Sequence, residues 1–163
     1  METARTIFAK LTADDYDAVF QLQSHAKTRR YLGGPVTKED FDLSFEKMLN
    51  AKPPDCYWIV REKDTDAFVG LLSITKHHDG VHHEVSYELH PDYWRQGYAS
   101  EILPKVLEYG FNILGMDELY AETQMKNVAS IKLLEKMGMH VVSHVERYGE
   151  KQVIYALKNK NLA

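Results

Sequence analysis

The stretch of residues 84–100 constrains the fold of this chain more than any other segment. Apolar Val85, Tyr87 and Leu89 alternate with polar residues, which is typical of a half-buried strand. A short loop ends at Gly97, and the apolar periodicity that follows predicts a helix. Glycine permits a tight turn, and the first amides of a helix have no intrahelical partners, so this strand–loop–helix unit predicts a phosphate-binding site.

The spacing of the residues in this loop excludes two common classes of phosphate ligand. It does not fit a dinucleotide fingerprint, and it lacks the Gly-Lys-Ser/Thr of nucleotide-hydrolysing loops. Arg95 adds positive charge to the positive end of the helix dipole. We therefore expect a different phosphate-bearing cofactor.

Four segments resemble the GNAT family of N-acetyltransferases, in the branch of the ribosomal-protein alanine acetyltransferases. Residues 94–100, Trp-Arg-Gln-Gly-Tyr-Ala-Ser, resemble the pyrophosphate loop of that family. Residues 5–15 resemble its first strand and the start of its first helix, residues 127–139 its second cofactor motif, and residues 155–157 its last strand. The resemblance covers nearly the whole chain and implies an acetyl-CoA-dependent enzyme.

The order of predicted elements gives the fold class. Strands and helices mix along one chain without a repeat or a linker, which favours an α+β sandwich around a central sheet. The resemblance implies the GNAT acyltransferase fold, a mostly antiparallel mixed sheet flanked by helices. We expect one domain over residues 1–163, and we expect Thr37 to cap its second helix. Pro104 falls inside the predicted long helix, where we expect a kink or a bulge.

Bulk composition excludes several classes of function. A net charge of −4 disfavours nucleic acid and anionic membranes as partners, and it mildly favours cationic substrates. No apolar run approaches the ~18 residues of a membrane span. The single cysteine, Cys56, cannot form an internal disulfide, and the amino terminus carries no apolar signal segment, so we expect a cytoplasmic protein.

The resemblance also implies the residues that bind acetyl-CoA, here a co-substrate. The loop would hold the pyrophosphate, and the strand before it would part from its neighbour and pair with the pantetheine arm. Asn127 reads from the sequence alone as a helix N-cap, and the resemblance adds a pantetheine contact. The expected cofactor-binding residues are Leu89, His90, Trp94, Arg95, Gln96, Gly97, Tyr98, Ala99, Ser100, Asn127 and Ser130.

The catalytic groups are less clear, because Leu134 occupies the position where many relatives have a general-acid tyrosine. Ser130 is the candidate acid, since the matching hydroxyl in the branch lies near the sulfur; water or a tyrosine from elsewhere is the alternative. Glu84 and Glu88 are candidate bases on the polar face of the strand, unless they are solvated surface residues. Glu146 is a further candidate by a loose family match.

Several alternatives concern the acceptor and the partners. The resemblance favours a protein amino terminus, acetylated by direct attack in a ternary complex. A small amine such as a polyamine, an amino acid or an antibiotic is the first alternative, and an acetyl-CoA-binding module without turnover is the second.

We expect no metal, because adjacent histidines of the pairs at 77–78 and 82–83 point to opposite faces of a strand. A homodimer is possible, since dimers are common among relatives. The segment around Arg29, Arg30 and Tyr31 would wall the acceptor pocket or simply end a helix.

Overall fold

A seven-stranded mixed sheet forms the centre of the molecule in the computed structural model, which describes residues 1–161. Its strands are β1 (Thr6–Lys10), β2 (Cys56–Glu62), β3 (Phe68–Lys76), β4 (His83–Leu89), β5 (Glu118–Gln124), β6 (His140–Arg147) and β7 (Glu150–Lys158). The spatial order is β1-β2-β3-β4-β5-β7-β6, and every neighbouring pair is antiparallel except β4 and β5. The predicted mostly antiparallel sheet is confirmed.

Four α-helices within residues 1–161 flank this sheet, and side-chain caps explain where two of them begin. They are α1 (Tyr16–Ser24), α2 (Lys38–Leu49), α3 (Tyr98–Asn112) and α4 (Val128–Lys136). Thr37 Oγ1 accepts the Asp40 amide at 3.2 Å at the start of α2, and Asn127 Oδ1 accepts the Ser130 amide at 3.3 Å at the start of α4. Both caps were predicted, because a side-chain oxygen can satisfy a free amide of the first turn. A 3₁₀ turn at Ala13–Asp15 precedes α1.

The proline inside α3 does not interrupt it. Pro104 is exposed, and the chain stays α-helical from Tyr98 to Asn112. The predicted bulge is therefore wrong, and the predicted kink stays a prediction. Proline removes one amide hydrogen bond, and here the bond lost is close to the amino-terminal end of an otherwise apolar, well-packed helix.

Each face of the sheet packs on its own helices. On one face, Ile102 and Val106 of α3 and Leu134 of α4 pack with Val85 and Leu89 of β4. On the other face, α1 and α2 cover β2 and β3 through a separate cluster of buried residues: Leu11, Val19, Leu22, Phe41, Phe45, Ile59 and Leu71. The predicted alternation of β4 is confirmed, since its apolar side chains lie on the first face.

The two central strands part soon after they meet. β4 and β5 register as parallel partners only at His83 with Leu119 and at Glu84 with Tyr120. Beyond these pairs the strands diverge and leave a gap that widens toward the end of β4. The predicted parting of β4 from its neighbour is confirmed. None of the helices in residues 1–161 combines the length and the apolarity needed to cross a bilayer.

Truncation of Phe41 should test the smaller hydrophobic cluster. Phe41 is fully buried and its ring contacts Tyr16 and Phe45, so Phe41→Ala should lower the free energy of unfolding by about 3–5 kcal/mol. Leu43 lies on the same helix with 63% of its surface exposed, so Leu43→Ala is the matched control and should cost far less. Urea unfolding measures both; equal losses would contradict the packing described.

Candidate active site

The loop before α3 presents a row of free backbone amides. Among residues 1–161, the amides of residues 95–100 donate to no protein group. Gly97 (φ +81°) and Arg95 (φ +58°) both adopt the left-handed region, which turns the chain sharply into the helix. Six successive amides at the positive end of a 15-residue helix make a site that fits a pyrophosphate.

Side chains from distant segments hold this loop in place. Arg5 Nη2 donates to the Gln96 carbonyl at 3.0 Å, Arg5 Nε pairs with Glu101 at 2.8 Å, and the guanidinium lies 3.9 Å from the centre of the Tyr98 ring. Trp94 Nε1 donates to the Leu89 carbonyl at 2.8 Å. Trp94 and Tyr98 thus support the loop from the protein side, while its amides stay open.

Backbone groups of β4 face the gap between β4 and β5. The His90 amide donates to the Val69 carbonyl at 2.8 Å, which makes Leu89 and Gly70 a non-hydrogen-bonded pair. By alternation the amides of Leu89 and Tyr87 therefore point away from β3 and into the gap. His90 itself turns toward β3, and its Nδ1 accepts the Asp92 amide, so its polar groups are not among those facing the gap.

A tyrosine and a serine meet across the gap. Tyr87 Oη lies 2.6 Å from Ser130 Oγ, in the first turn of α4. Burial raises the Tyr87 pKa, and the hydrogen bond to Ser130 opposes that shift. Leu134, one turn further along α4, is buried in the core. The sequence left open which tyrosine could stand near Ser130, and the structure brings Tyr87 there.

Glu88 lies on the opposite face of β4, beneath α1 and the connection that follows it. Gln23 Nε2 donates to Glu88 Oε1 at 3.0 Å, and Arg29 Nη1 approaches the same oxygen to 3.5 Å. Glu88 Oε2 is buried without a hydrogen-bond partner among residues 1–161. Burial raises the pKa of this carboxyl, although Arg29 and Gln23 act to lower it.

Glu84 lies on the same face, within a cluster of charged groups. Burial, with a smaller contribution from Glu122, raises its pKa to about 7, against the opposing effects of His77 and Arg147. Glu122 pairs with Arg147 at 2.6 Å and with His77 Nε2 at 2.6 Å. Neither glutamate is fully solvated, because both are only partly exposed and Gln23 of α1 covers Glu88.

The same cluster is the one arrangement among residues 1–161 with metal-binding potential. Ligand atoms of His77, Glu84 and Glu122 lie within 4.8 Å of one another. Glu122 already bonds to Arg147 and His77, so a cation would have to displace an arginine. The Asp79 amide donates to His77 Nδ1 at 3.2 Å, which leaves the proton on Nε2 toward Glu122. The expectation of no metal stays a prediction.

An open cleft of about 500 Å³ lies on this face beside the gap. The connection after α1, the end of β5 with the residues after it, and the start of β7 form its walls. The lining residues are Arg30, Tyr31, Gln124, Lys126 and Glu150. Lys126 pairs with Glu150 at 2.9 Å. Glu146 is exposed and lies next in sequence to Arg147, whose side chain reaches Glu122, so strand alternation turns Glu146 to the other face of the sheet.

Comparison with known proteins agrees with this geometry. Residues 5–140 match the profile of the family described as Acetyltransferase (GNAT) domain. The uncharacterized N-acetyltransferase YoaA of Bacillus subtilis is 30% identical over 156 residues, covering 91% of this chain and 86% of YoaA. The GNAT-family acetyltransferase from Bacillus anthracis superposes with a TM-score of 0.83 at 24% identity, over 97% of both chains.

A third relative was crystallised with its ligands. Spermidine N-acetyltransferase from Vibrio cholerae, in complex with CoA and spermine, has a TM-score of 0.81 at 15% identity, over 94% of this chain and 95% of that one. The fold and the family match place this protein among the acyl-group transferases. It belongs to the GNAT acetyltransferase domain family and is an acetyl-CoA-dependent N-acetyltransferase.

A glutamate at Gly97 should weaken acetyl-CoA binding at least tenfold, because it adds a negative charge beside the amides that would receive the pyrophosphate. Gly115, beyond the other end of α3, has a similar φ of +68° and open space around it. Gly115→Glu therefore introduces the same charge and backbone strain away from the loop, as a control. Calorimetric titration with acetyl-CoA compares the two variants; equal affinities would remove the loop from the site. The tenfold estimate corresponds to the loss of about 1.4 kcal/mol.

The raised pKa of Glu84 should make stability depend on pH. Its pKa is about 7 in the folded protein against 4.5 ordinarily, so between these values the folded state holds a proton that the unfolded state has lost. The free energy of unfolding should therefore fall as pH rises through this window, by at most about 1.4 kcal/mol per pH unit. Glu84→Gln removes this contribution, so the variant should gain on the wild type from pH 4.5 to 7.

Urea unfolding at several pH values measures this gain. Glu146→Gln, an exposed carboxylate on the other face, is the matched control, and its curve should parallel that of the wild type. Parallel curves for wild type and Glu84→Gln would mean that Glu84 titrates alike in the folded and unfolded chain.

Proposed function

We propose that this enzyme acetylates the α-amino group of a peptide or protein amino terminus, as the resemblance to ribosomal-protein alanine acetyltransferases implies. The observation that carries the proposal is the charge balance on the acceptor face. The sheet face beside the cleft holds three carboxylates, but Glu122 is paired with Arg147, Glu88 lies beside Arg29, and burial raises the pKa of Glu84 to about 7.

The residues that line the rim of the cleft also carry few unpaired negative charges. Arg30 and Lys126 are exposed cations there, and Glu150, the one carboxylate among the lining residues, is bound to Lys126. A polyamine with three or four positive charges would need unpaired carboxylates in this cleft. A peptide instead offers carbonyl oxygens to these cations and to Gln124, and brings one amine that must become neutral.

The cost of neutralising that amine also favours an amino terminus. At pH 7 it is roughly 1 kcal/mol for an α-amino group with a pKa near ~7.8, against roughly 4.6 kcal/mol for a lysine-like amine. A buried carboxyl with a raised pKa is a better proton acceptor than an ordinary one. Such a base suffices for the α-amino group.

Glu88 is the base we favour. Gln23 and Arg29 hold one of its oxygens, and the other oxygen has no partner among residues 1–161 and is available for a proton. Glu88 also flanks Leu89, whose amide faces the gap where the thioester oxygen would lie. Glu84 is four residues away, about 13 Å along the strand, and beside the closed end of the gap, so it would act only through water.

The remaining proposed roles follow the geometry of the gap. When bound, acetyl-CoA supplies the activated acetyl group as a thioester. The amides of residues 95–100 would hold its pyrophosphate, and the amides of Tyr87 and Leu89 would orient the pantetheine arm and polarise the carbonyl. Asn127 keeps the first turn of α4 in place, and Ser130 faces the leaving sulfur. The amine attacks directly, without a covalent enzyme intermediate.

A polyamine acceptor is the second candidate, because a structural relative is a spermidine N-acetyltransferase crystallised with spermine. The net charge of −4 mildly favours such a cation as well. The carboxylates described above weigh against it, because they are paired or have raised pKa values.

Thiol release from acetyl-CoA should separate the candidates. We expect turnover with a peptide that begins with Ala or Ser and contains one internal lysine, and none with the same peptide after its amino terminus is blocked. Turnover with spermidine alone would move the acceptor to the polyamines. Binding of acetyl-CoA without release on any amine would leave a non-catalytic module.

Reversing one charge on the cleft rim tests whether the cleft selects the acceptor. Arg30→Glu should lower kcat/KM for the peptide several-fold and raise it for spermidine, because it turns the rim negative. Lys105→Glu, on the exposed side of α3, makes the same change in net charge and should alter neither. Equal effects of the two variants would mean that the cleft does not select the acceptor.

A further inference from the structure

The hydrogen bond between Tyr87 and Ser130 joins the two walls of the gap. Tyr87 belongs to β4, and Ser130 belongs to the first turn of α4, which follows β5 in the chain. Their oxygens lie 2.6 Å apart, although the residues are 43 positions apart in sequence. The Asn127 side chain fixes the backbone of this turn by accepting the Ser130 amide at 3.3 Å. The position of the Ser130 hydroxyl is therefore set from two sides.

No other residue of α4 can donate a hydroxyl hydrogen bond. The sequence of the helix contains a single hydroxyl side chain, that of Ser130, and Leu134 is apolar and buried one turn later. A donor to the departing sulfur from this helix must be Ser130. The direction in which its hydrogen points then decides whether it can act.

We propose that Tyr87 is a positioning residue that orients the Ser130 hydroxyl toward the sulfur of CoA. Tyr87 Oη–H donates to Ser130 Oγ, which leaves the Ser130 hydrogen free to donate to sulfur. This inference rests on the proposed acetyl transfer at this gap. Tyr87 does not take over the role of the tyrosine that α4 lacks, because it acts on the sulfur only through Ser130.

The step balances with the groups already named. The bond between the amine nitrogen and the acetyl carbon forms, the carbon–sulfur bond breaks, and its electron pair goes to sulfur. Glu88 takes the amine proton and returns it to solvent. The two hydroxyls stabilise the thiolate by hydrogen bonds until solvent protonates it, so neither Ser130 nor Tyr87 needs to lose its proton.

The chemistry of the two hydroxyls favours this direction of donation. A phenol is more acidic than the aliphatic hydroxyl of serine, so Tyr87 is the better hydrogen-bond donor of the pair. Hydrogen bonds in series also strengthen one another where water is excluded. The chain from Tyr87 through Ser130 to sulfur should therefore stabilise a thiolate more than Ser130 alone would.

The thiol pKa of CoA bound to the enzyme tests this proposal without an acceptor. Titration followed by thiolate ultraviolet absorbance should give a value below the ~8.5 of an ordinary thiol for the wild type. Ser130→Ala and Tyr87→Phe should each raise it by about 1 pH unit. Tyr155→Phe is the matched control, because Tyr155 also donates to α4, to Glu135 at 3.1 Å, but from β7. It should leave the thiol pKa unchanged.

Turnover on the best amine found provides the second measurement. Tyr87→Phe should lower kcat about tenfold with little change in KM for acetyl-CoA, a loss that corresponds to one good hydrogen bond. The double variant Tyr87→Phe/Ser130→Ala should be no slower than Ser130→Ala, because Tyr87 acts through Ser130.

The proposal is overturned if Tyr87→Phe leaves the thiol pKa at the wild-type value, or if the losses in kcat of the two single variants add. Should Tyr87→Phe fail to fold, Ser130→Ala reports on the same donor, and an unchanged thiol pKa there overturns the proposal too. The thiol measurement does not involve the amine. A wrong acceptor class would therefore leave its result intact and would appear only in the peptide assay.

Discussion

The early parting of β4 from β5 is the constraint on which the rest of the structure depends. After two registered pairs the strands share no further ladder, so the inward amides of Tyr87 and Leu89 lack a strand partner. Folded proteins seldom leave buried backbone groups unpaired. Here the Trp94 indole satisfies the Leu89 carbonyl, and the amides are left for an extended ligand that can pair like a strand.

The gap also separates a region that attracts anions from a region that carries carboxylates. The end of β4 leads to free amides at the start of α3, which attract anions. The face under α1 carries carboxylates that are buried, paired with arginine or raised in pKa. Under the proposed function, an anionic donor and an amine acceptor approach from different sides, and each meets the charge environment that its chemistry needs. The two substrates need no common binding surface to react in the gap.

Short sequence patterns predicted the features that depend on neighbouring residues, namely strand faces and helix starts. The alternation in β4 predicted its two faces, and Thr37 and Asn127 predicted their helix starts, because each depends on neighbours within a few residues. The fold followed from four segments that resemble one family. Contacts between distant residues had no such signal: Arg5 braces a loop 91 residues away, and Glu88 meets Gln23 65 residues away.

The two glutamates of β4 show why the polarity of a residue does not predict whether it is buried. Alternation identifies a polar face but not what covers it, so a solvated strand and a buried proton acceptor have the same sequence pattern. What surrounds each side chain decides between them. Gln23 and Arg29 lie over Glu88, and Glu84 is buried near the charges of His77, Glu122 and Arg147. Their raised pKa values are thus a property of the tertiary fold.

The leucine in α4 has a similar explanation. A hydroxyl near the sulfur can come only from an element that lines the gap, and β4 lines it as closely as α4 does. Tyr87 reaches Ser130 because the apolar face of β4 continues across the gap onto the first turn of α4. If Tyr87 supports Ser130 as proposed, position 134 needs no hydroxyl, and Leu134 fills the core with an apolar side chain that is 1% exposed. The departure from the family pattern is then compatible with catalysis, because the gap's geometry fixes where a donor must lie without fixing which element supplies it.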